Sequence, residues 1–69
     1  MDIPELNARF TYHAPKEGQP EKYTRLRETA KDFAMKILEW VPESREQSLA
    51  ITAIEEAIFW ANAGIARRS

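Results

Sequence analysis

Val41-Pro42-Glu43-Ser44-Arg45-Glu46-Gln47 is the stretch on which the fold turns, because it holds a helix stop and a helix start side by side. Pro42 has no backbone N–H to donate, and its ring pushes Val41 out of the helical region, so a helix arriving from the N-terminal side ends here. Ser44 then offers its hydroxyl to the free N–H groups of a new helix. Gln47, three positions on, is placed to answer back to Ser44 as a capping box. Glu46 adds negative charge in that first turn, where the helix dipole favours it.

Upstream of this break, Tyr23, Leu26, Ala30, Phe33, Ala34, Ile37, Leu38 and Val41 recur by threes and fours, which predicts one helix from Pro20 to Val41. Downstream, Ile51, Ile54, Ile58, Ala61 and Ile65 form a second stripe. Arg67 and Arg68 complement the dipole at its end, so the second helix is expected from Ser44 to about Arg67. Each helix would span roughly 30 Å at 1.5 Å per residue, and so short a connection makes them antiparallel. The expected class is all-α, a two-helix antiparallel hairpin in a single domain covering residues 1–69.

The second helix is apolar around most of its circumference, since Leu49, Ala53, Phe59 and Trp60 lie away from the isoleucine line. Such a helix is buried from several sides, and in a 69-residue chain the missing sides are other copies. Ala50, Ala53, Ala57, Ala61, Ala63 and Gly64 would let helices approach closely. A domain this short removes only about 60% of its unfolded surface from water, and the chain has no cysteine to supply a disulfide or a thiolate metal site. A homo-oligomer follows, with a copy number that spacing does not fix. Hydrophobic residues at 43% and charged residues at 30% give a globular balance, so the chain should fold rather than stay disordered.

Before the hairpin, Asp2 with Glu5 three residues later resembles a capping pattern and Pro4 suits a first-turn position, which predicts a short helix from Pro4 to Arg9. Thr11 to Gln19 contains Pro15 and Gly18 and precedes Pro20, so it reads as an extended loop. Between residues 10 and 15, Phe10, Tyr12, His13 and Pro15 fall in a short non-helical run, ahead of Arg25 and Arg27 in the first turns of the long helix. Exposed rings beside guanidinium groups suit a ligand with flat bases and phosphates. Arg25 and Arg27 would point about 160° apart on a helix, so only one can face a given pocket.

Ten basic against eleven acidic residues leave the chain near neutral, whereas proteins that track long DNA or RNA carry a positive excess. A small anionic ligand fits better than a polymer. No apolar run approaches the 18 or more residues of a membrane span, and Met1-Asp2-Ile3-Pro4-Glu5 has neither the basic region nor the hydrophobic stretch of a secretion signal. An intracellular protein with no membrane contact is expected. The sequence shows no Ser/His/Asp arrangement, Gly-rich phosphate loop or metal cluster. His13 has no second ligand at metal spacing, and the adjacent Glu55 and Glu56 point about 100° apart. Binding without catalysis, cofactor or metal is therefore the expectation.

Phe10-Thr11-Tyr12-His13-Ala14-Pro15, the Leu26-Arg27 step, Pro42-Glu43-Ser44-Arg45-Glu46, Ser48-Leu49-Ala50 and the segment from Glu55 through Trp60-Ala61-Asn62-Ala63 to Arg67 together resemble one family. It is the anti-CBASS protein 2 family of bacteriophages, the Acb2/Tad1 hairpin domain, and the likeness runs from about Arg9 to Arg67. What the resemblance implies is a sponge in the host bacterial cytoplasm. Members sequester, without cleaving, the cyclic oligonucleotide messengers of anti-phage signalling, cyclic GMP–AMP among the dinucleotides. They are helical hexamers that hold cyclic dinucleotides between protomers, and some hold cyclic trinucleotides at separate sites.

Carried over by motif, the loop tyrosine becomes Tyr12 and the basic residue of the first long helix becomes Arg27, with Arg25 as the alternate and the C-terminal arginines at Arg67 or Arg68. Bland readings stand beside these. Tyr12 could be a loop aromatic pinned to the hairpin, Arg27 a solvated charge, Arg67 and Arg68 ordinary helix-end cations, and Trp60 a packing residue. The rival function is a helical interaction module that docks onto a host protein through the apolar second helix.

Overall fold

A computed structural model describes all 69 residues. The chain forms three helices and no strand: α1 (Ile3–Phe10), α2 (Gln19–Trp40) and α3 (Arg45–Arg68), and the principal packing is α2 on α3. The break falls where the proline places it. Val41 is extended at φ −109° and ψ 126°, yet its N–H still closes the last turn onto the Ile37 carbonyl at 2.9 Å. Ser44 caps α3 by accepting from the Gln47 N–H at 3.1 Å. The second half of the expected capping box is not made. The Gln47 side chain reaches past Ser44 and donates to the Val41 carbonyl at 2.9 Å, tying the new helix to the end of the old one.

The N-terminal helix is one residue longer at each end than the expected Pro4–Arg9. Asp2 is its cap, accepting from the Glu5 N–H at 2.9 Å. Phe10 therefore closes α1 instead of lying in the loop, which corrects its placement in the non-helical run. Thr11 to Gly18 is the connecting loop. Gly18 ends it at φ 82°, a left-handed conformation that glycine enters without the Cβ penalty.

The hairpin is flat. Its extents are 45 × 29 × 13 Å, so the protein is one helix layer thick, and its Cα radius of gyration of 15.2 Å exceeds the about 11 Å of a compact chain of this length. The accessible surface is 5807 Å², against about 4,450 Å² for a folded monomer of 8.0 kDa. No apolar side chain is fully buried. The stripe Ile51, Ile54, Ile58, Ala61 and Ile65 is half-covered by α2, while Leu49, Phe59 and Trp60 stand exposed. One face between the helices is an open apolar groove of about 520 Å³ whose lining includes Leu26, Phe33, Ile37, Ala53, Ile54 and Ala57. Among the small residues, Gly64 meets no neighbour, since a Cβ there would find nothing within 4 Å.

The expectation that nothing approaches a membrane span needs correction for α3. It has no unbroken apolar run, but its 24 residues include a window with mean hydropathy of 1.3, long and apolar enough on average to cross a bilayer. Glu55 and Glu56 at its middle oppose that use, because an acidic side chain costs about 2.5–3.5 kcal/mol at the bilayer centre.

Candidate functional site

The loop from Thr11 to Gly18 runs across the end of the hairpin where α2 begins and α3 ends, and polar ties hold it there. His13 Nε2 donates to the Ala8 carbonyl of α1 at 2.8 Å, which gives this histidine a backbone-bonding role. Lys16 Nζ donates to the Ser69 carbonyl at 2.7 Å. Gln19 joins the loop to α3: its Oε1 accepts from the Lys16 N–H at 2.9 Å and its Nε2 donates to the Ile65 carbonyl at 3.0 Å. The turn signals of the sequence put Gln19 last in the loop. In the structure it opens α2 and is the one buried side chain, at 4% exposure.

Tyr12 lies on this tethered loop with 83% of its surface exposed, so it is not pinned against the hairpin. Phe10 is equally exposed, and Pro15 is exposed too. Arg27 is exposed and makes no ion pair or side-chain hydrogen bond within the chain. It is the ninth residue of α2, in the third turn, and not among the first turns. The field at a helix N-terminus fades within the first turn, so it does not assist Arg27. Arg25, in the second turn, borders a shallow depression with Lys22, Leu26, Thr29 and Ile65. Neither Tyr12 nor Arg27 lines any of the main clefts of one protomer.

A second cleft lies between α1 and the last turns of α3, lined by Leu6, Phe10, Trp60 and Gly64 on the apolar side and by Glu5 with Arg9, Arg67 and Arg68 on the polar side. Phe10 thus stands with Arg67 and Arg68 in a cleft that Tyr12 does not line. Arg68 donates to Glu5 Oε1 at 2.6 Å, Arg9 Nε donates to the same oxygen at 3.2 Å, and Arg67 donates to the Arg9 carbonyl at 3.3 Å. The hydrogen bonds from Arg68 and then Arg9 hold the Glu5 carboxyl down at about 2, and Glu5 in turn raises Arg68 above its ordinary value. The helix-end cations are therefore more than dipole partners: they dock α1 on α3.

Trp60 is exposed, with its indole N–H on Glu56 at 3.3 Å, and the Asn62 Oδ1 is buried without a hydrogen-bond partner. No three His, Asp or Glu side chains converge as a metal ion would need. What the geometry offers is an exposed ring on the loop and an unpaired guanidinium in the third turn of α2, groups able to grip planar, anionic ligands only when something closes over them.

No curated protein and no solved structure matches the chain. The family model of the Acb2/Tad1 hairpin domain matches residues 1–66, nearly the whole chain including the loop and both long helices, and the chain belongs to that family.

Proposed function

We propose that this protein is an anti-CBASS sponge, a stoichiometric trap for cyclic dinucleotides such as cyclic GMP–AMP and, at a separate site, for cyclic trinucleotides. Family membership across residues 1–66 carries the anti-defence role. The free Tyr12 ring and the unpaired Arg27 carry the choice of ligand. Tyr12 stacks on a base, and Arg27 forks two N–H donors onto a phosphate. A neighbouring copy closes the site. Two copies present two such sets, which matches the approximate two-fold symmetry of a cyclic dinucleotide. Arg67 and Arg68, each using one N–H within the chain on Arg9 or Glu5, offer their remaining donors to the trinucleotide, and the assembly is a hexamer acting in the host bacterial cytoplasm. No step of covalent chemistry and no cofactor or metal is required for capture.

The excess of roughly 1,350 Å² of accessible surface supports the assembly, since it is more than the about 800 Å² each partner contributes to a standard interface. Purified protein should retain cyclic GMP–AMP on a sizing column and release it intact after heat denaturation; recovery of linear product would overturn capture without cleavage. Tyr12→Ala and Arg27→Ala should each weaken binding by about 1–3 kcal/mol with assembly unchanged. Normal binding by both variants would move the site elsewhere. The apolar groove also suits a protein partner, and a chain that binds no nucleotide but forms a stable complex with a host protein would favour a docking module instead.

A further inference from the structure

We propose that Gln19 is a positioning residue for ligand capture, the side chain that sets the Tyr12 loop against the end of α3 and thereby fixes the affinity of the site. The inference rests on the capture reading given above. In a protein without one fully buried apolar side chain, the only buried residue is this amide. Both ends of it are used: Oε1 takes the Lys16 N–H at 2.9 Å and Nε2 gives to the Ile65 carbonyl at 3.0 Å. The Gln19 N–H closes the same turn onto the Lys16 carbonyl at 3.1 Å, around Gly18 at φ 82°.

The loop has nothing apolar to hold it, because Tyr12, Ala14 and Pro15 are all exposed. Its other ties, His13 to Ala8 and Lys16 to Ser69, run to an eight-residue helix and, by an exposed bond, to the residue that follows α3. Gln19 alone ties the loop to the body of the hairpin from a position closed to water. Losing the amide takes the Lys16 N–H's partner away and leaves the Ile65 carbonyl with the Ser69 hydroxyl at 2.9 Å and no bond to the loop. A loop that samples many positions presents Tyr12 correctly in only a fraction of molecules, and apparent affinity falls by that fraction.

The test uses the full chain and Gln19→Met, which keeps the length and apolar volume of the side chain and removes both polar ends. Hydrogen exchange at the Lys16 amide is read without ligand, together with sizing of the assembly and titration of cyclic GMP–AMP. Expected are Lys16 exchange faster by at least about tenfold, unchanged exchange in the middle of α2 and α3, and a Kd raised about tenfold. Unchanged Lys16 exchange or an unchanged Kd overturns the proposal. If Gln19→Met loses its helical signal, Gln19→Glu is read instead: it keeps an oxygen for Lys16 and removes the donor to Ile65, so Lys16 stays protected while Kd rises, and an unchanged Kd again overturns the proposal. A wild-type chain that binds no cyclic dinucleotide defeats the capture reading and the claim on affinity with it, and Lys16 exchange in Gln19→Met then decides whether Gln19 places the loop.

Discussion

The hairpin and the arm that precedes it are joined by different kinds of force. α2 and α3 meet through apolar side chains at helical spacing, from Tyr23 to Val41 on one side and Ile51 to Ile65 on the other. α1 and the loop leave Ile3, Leu6, Phe10 and Tyr12 exposed and are fastened by carboxylate, guanidinium, ammonium, amide and imidazole groups reaching across to the end of α3 or back to α1. The apolar half is non-directional, so it tolerates an open groove awaiting a partner. The polar half is directional, so it can hold one loop in one place. A protein that must both assemble and grip a small ligand has use for each.

Substitutions should separate the two halves. The largest effect is expected in the hairpin: Ile54→Asp puts an unpaired charge on the α2-facing stripe and should cost roughly 3 kcal/mol or more. It should abolish both the cooperative thermal transition and the assembly, as circular dichroism and sizing would record, and a normal melt would refute the stripe as the joining surface. Gly18→Ala should be milder, about 1–2 kcal/mol for a left-handed backbone with a Cβ. No atom lies within 4 Å of the added carbon, so the strain is in the backbone alone. The melting temperature should fall by about 4–8 °C per kcal/mol, and Gly18→Asn should lose less, because asparagine tolerates that conformation.

Acid should act on the arm through Glu5. Glu5 is charged more readily in the folded chain, at about 2 against an ordinary 4.5. Its contribution is therefore complete above pH 4.5 and is lost as pH falls through 2. The fluorescence of Trp60, which shares the α1 cleft, should change in that window and stay flat from pH 5 to 8. Glu5→Gln should remove the change. A transition persisting in Glu5→Gln would place it on another carboxylate.

The same contrast explains what the sequence disclosed. Helix spacing and the Pro42–Ser44 break gave the hairpin to within a residue, because apolar periodicity and caps are local signals. Asp2 and Pro4 marked α1, though its end was missed and Phe10 was placed in the loop, since nothing local distinguishes its last turn. Gln19 was not legible as a key residue: its partner Ile65 lies 46 positions away, and a glutamine before a proline carries no sign of burial. The Glu5–Arg68 pair, 63 positions apart, was hidden for the same reason. Tyr12 and Arg27 follow from motif likeness, and in the structure both are exposed and unengaged within the chain, without meeting in one cleft.

The account centres on a flat, incomplete hairpin that copies of itself complete into a nucleotide trap. Native mass spectrometry of the purified chain with a panel of cyclic di- and trinucleotides measures assembly and ligand count together. The expected spectrum shows a discrete multiple of the 8.0 kDa subunit carrying intact cyclic dinucleotides, one for each pair of subunits. A stable 8.0 kDa monomer, or an assembly that takes up none of the panel, would contradict it.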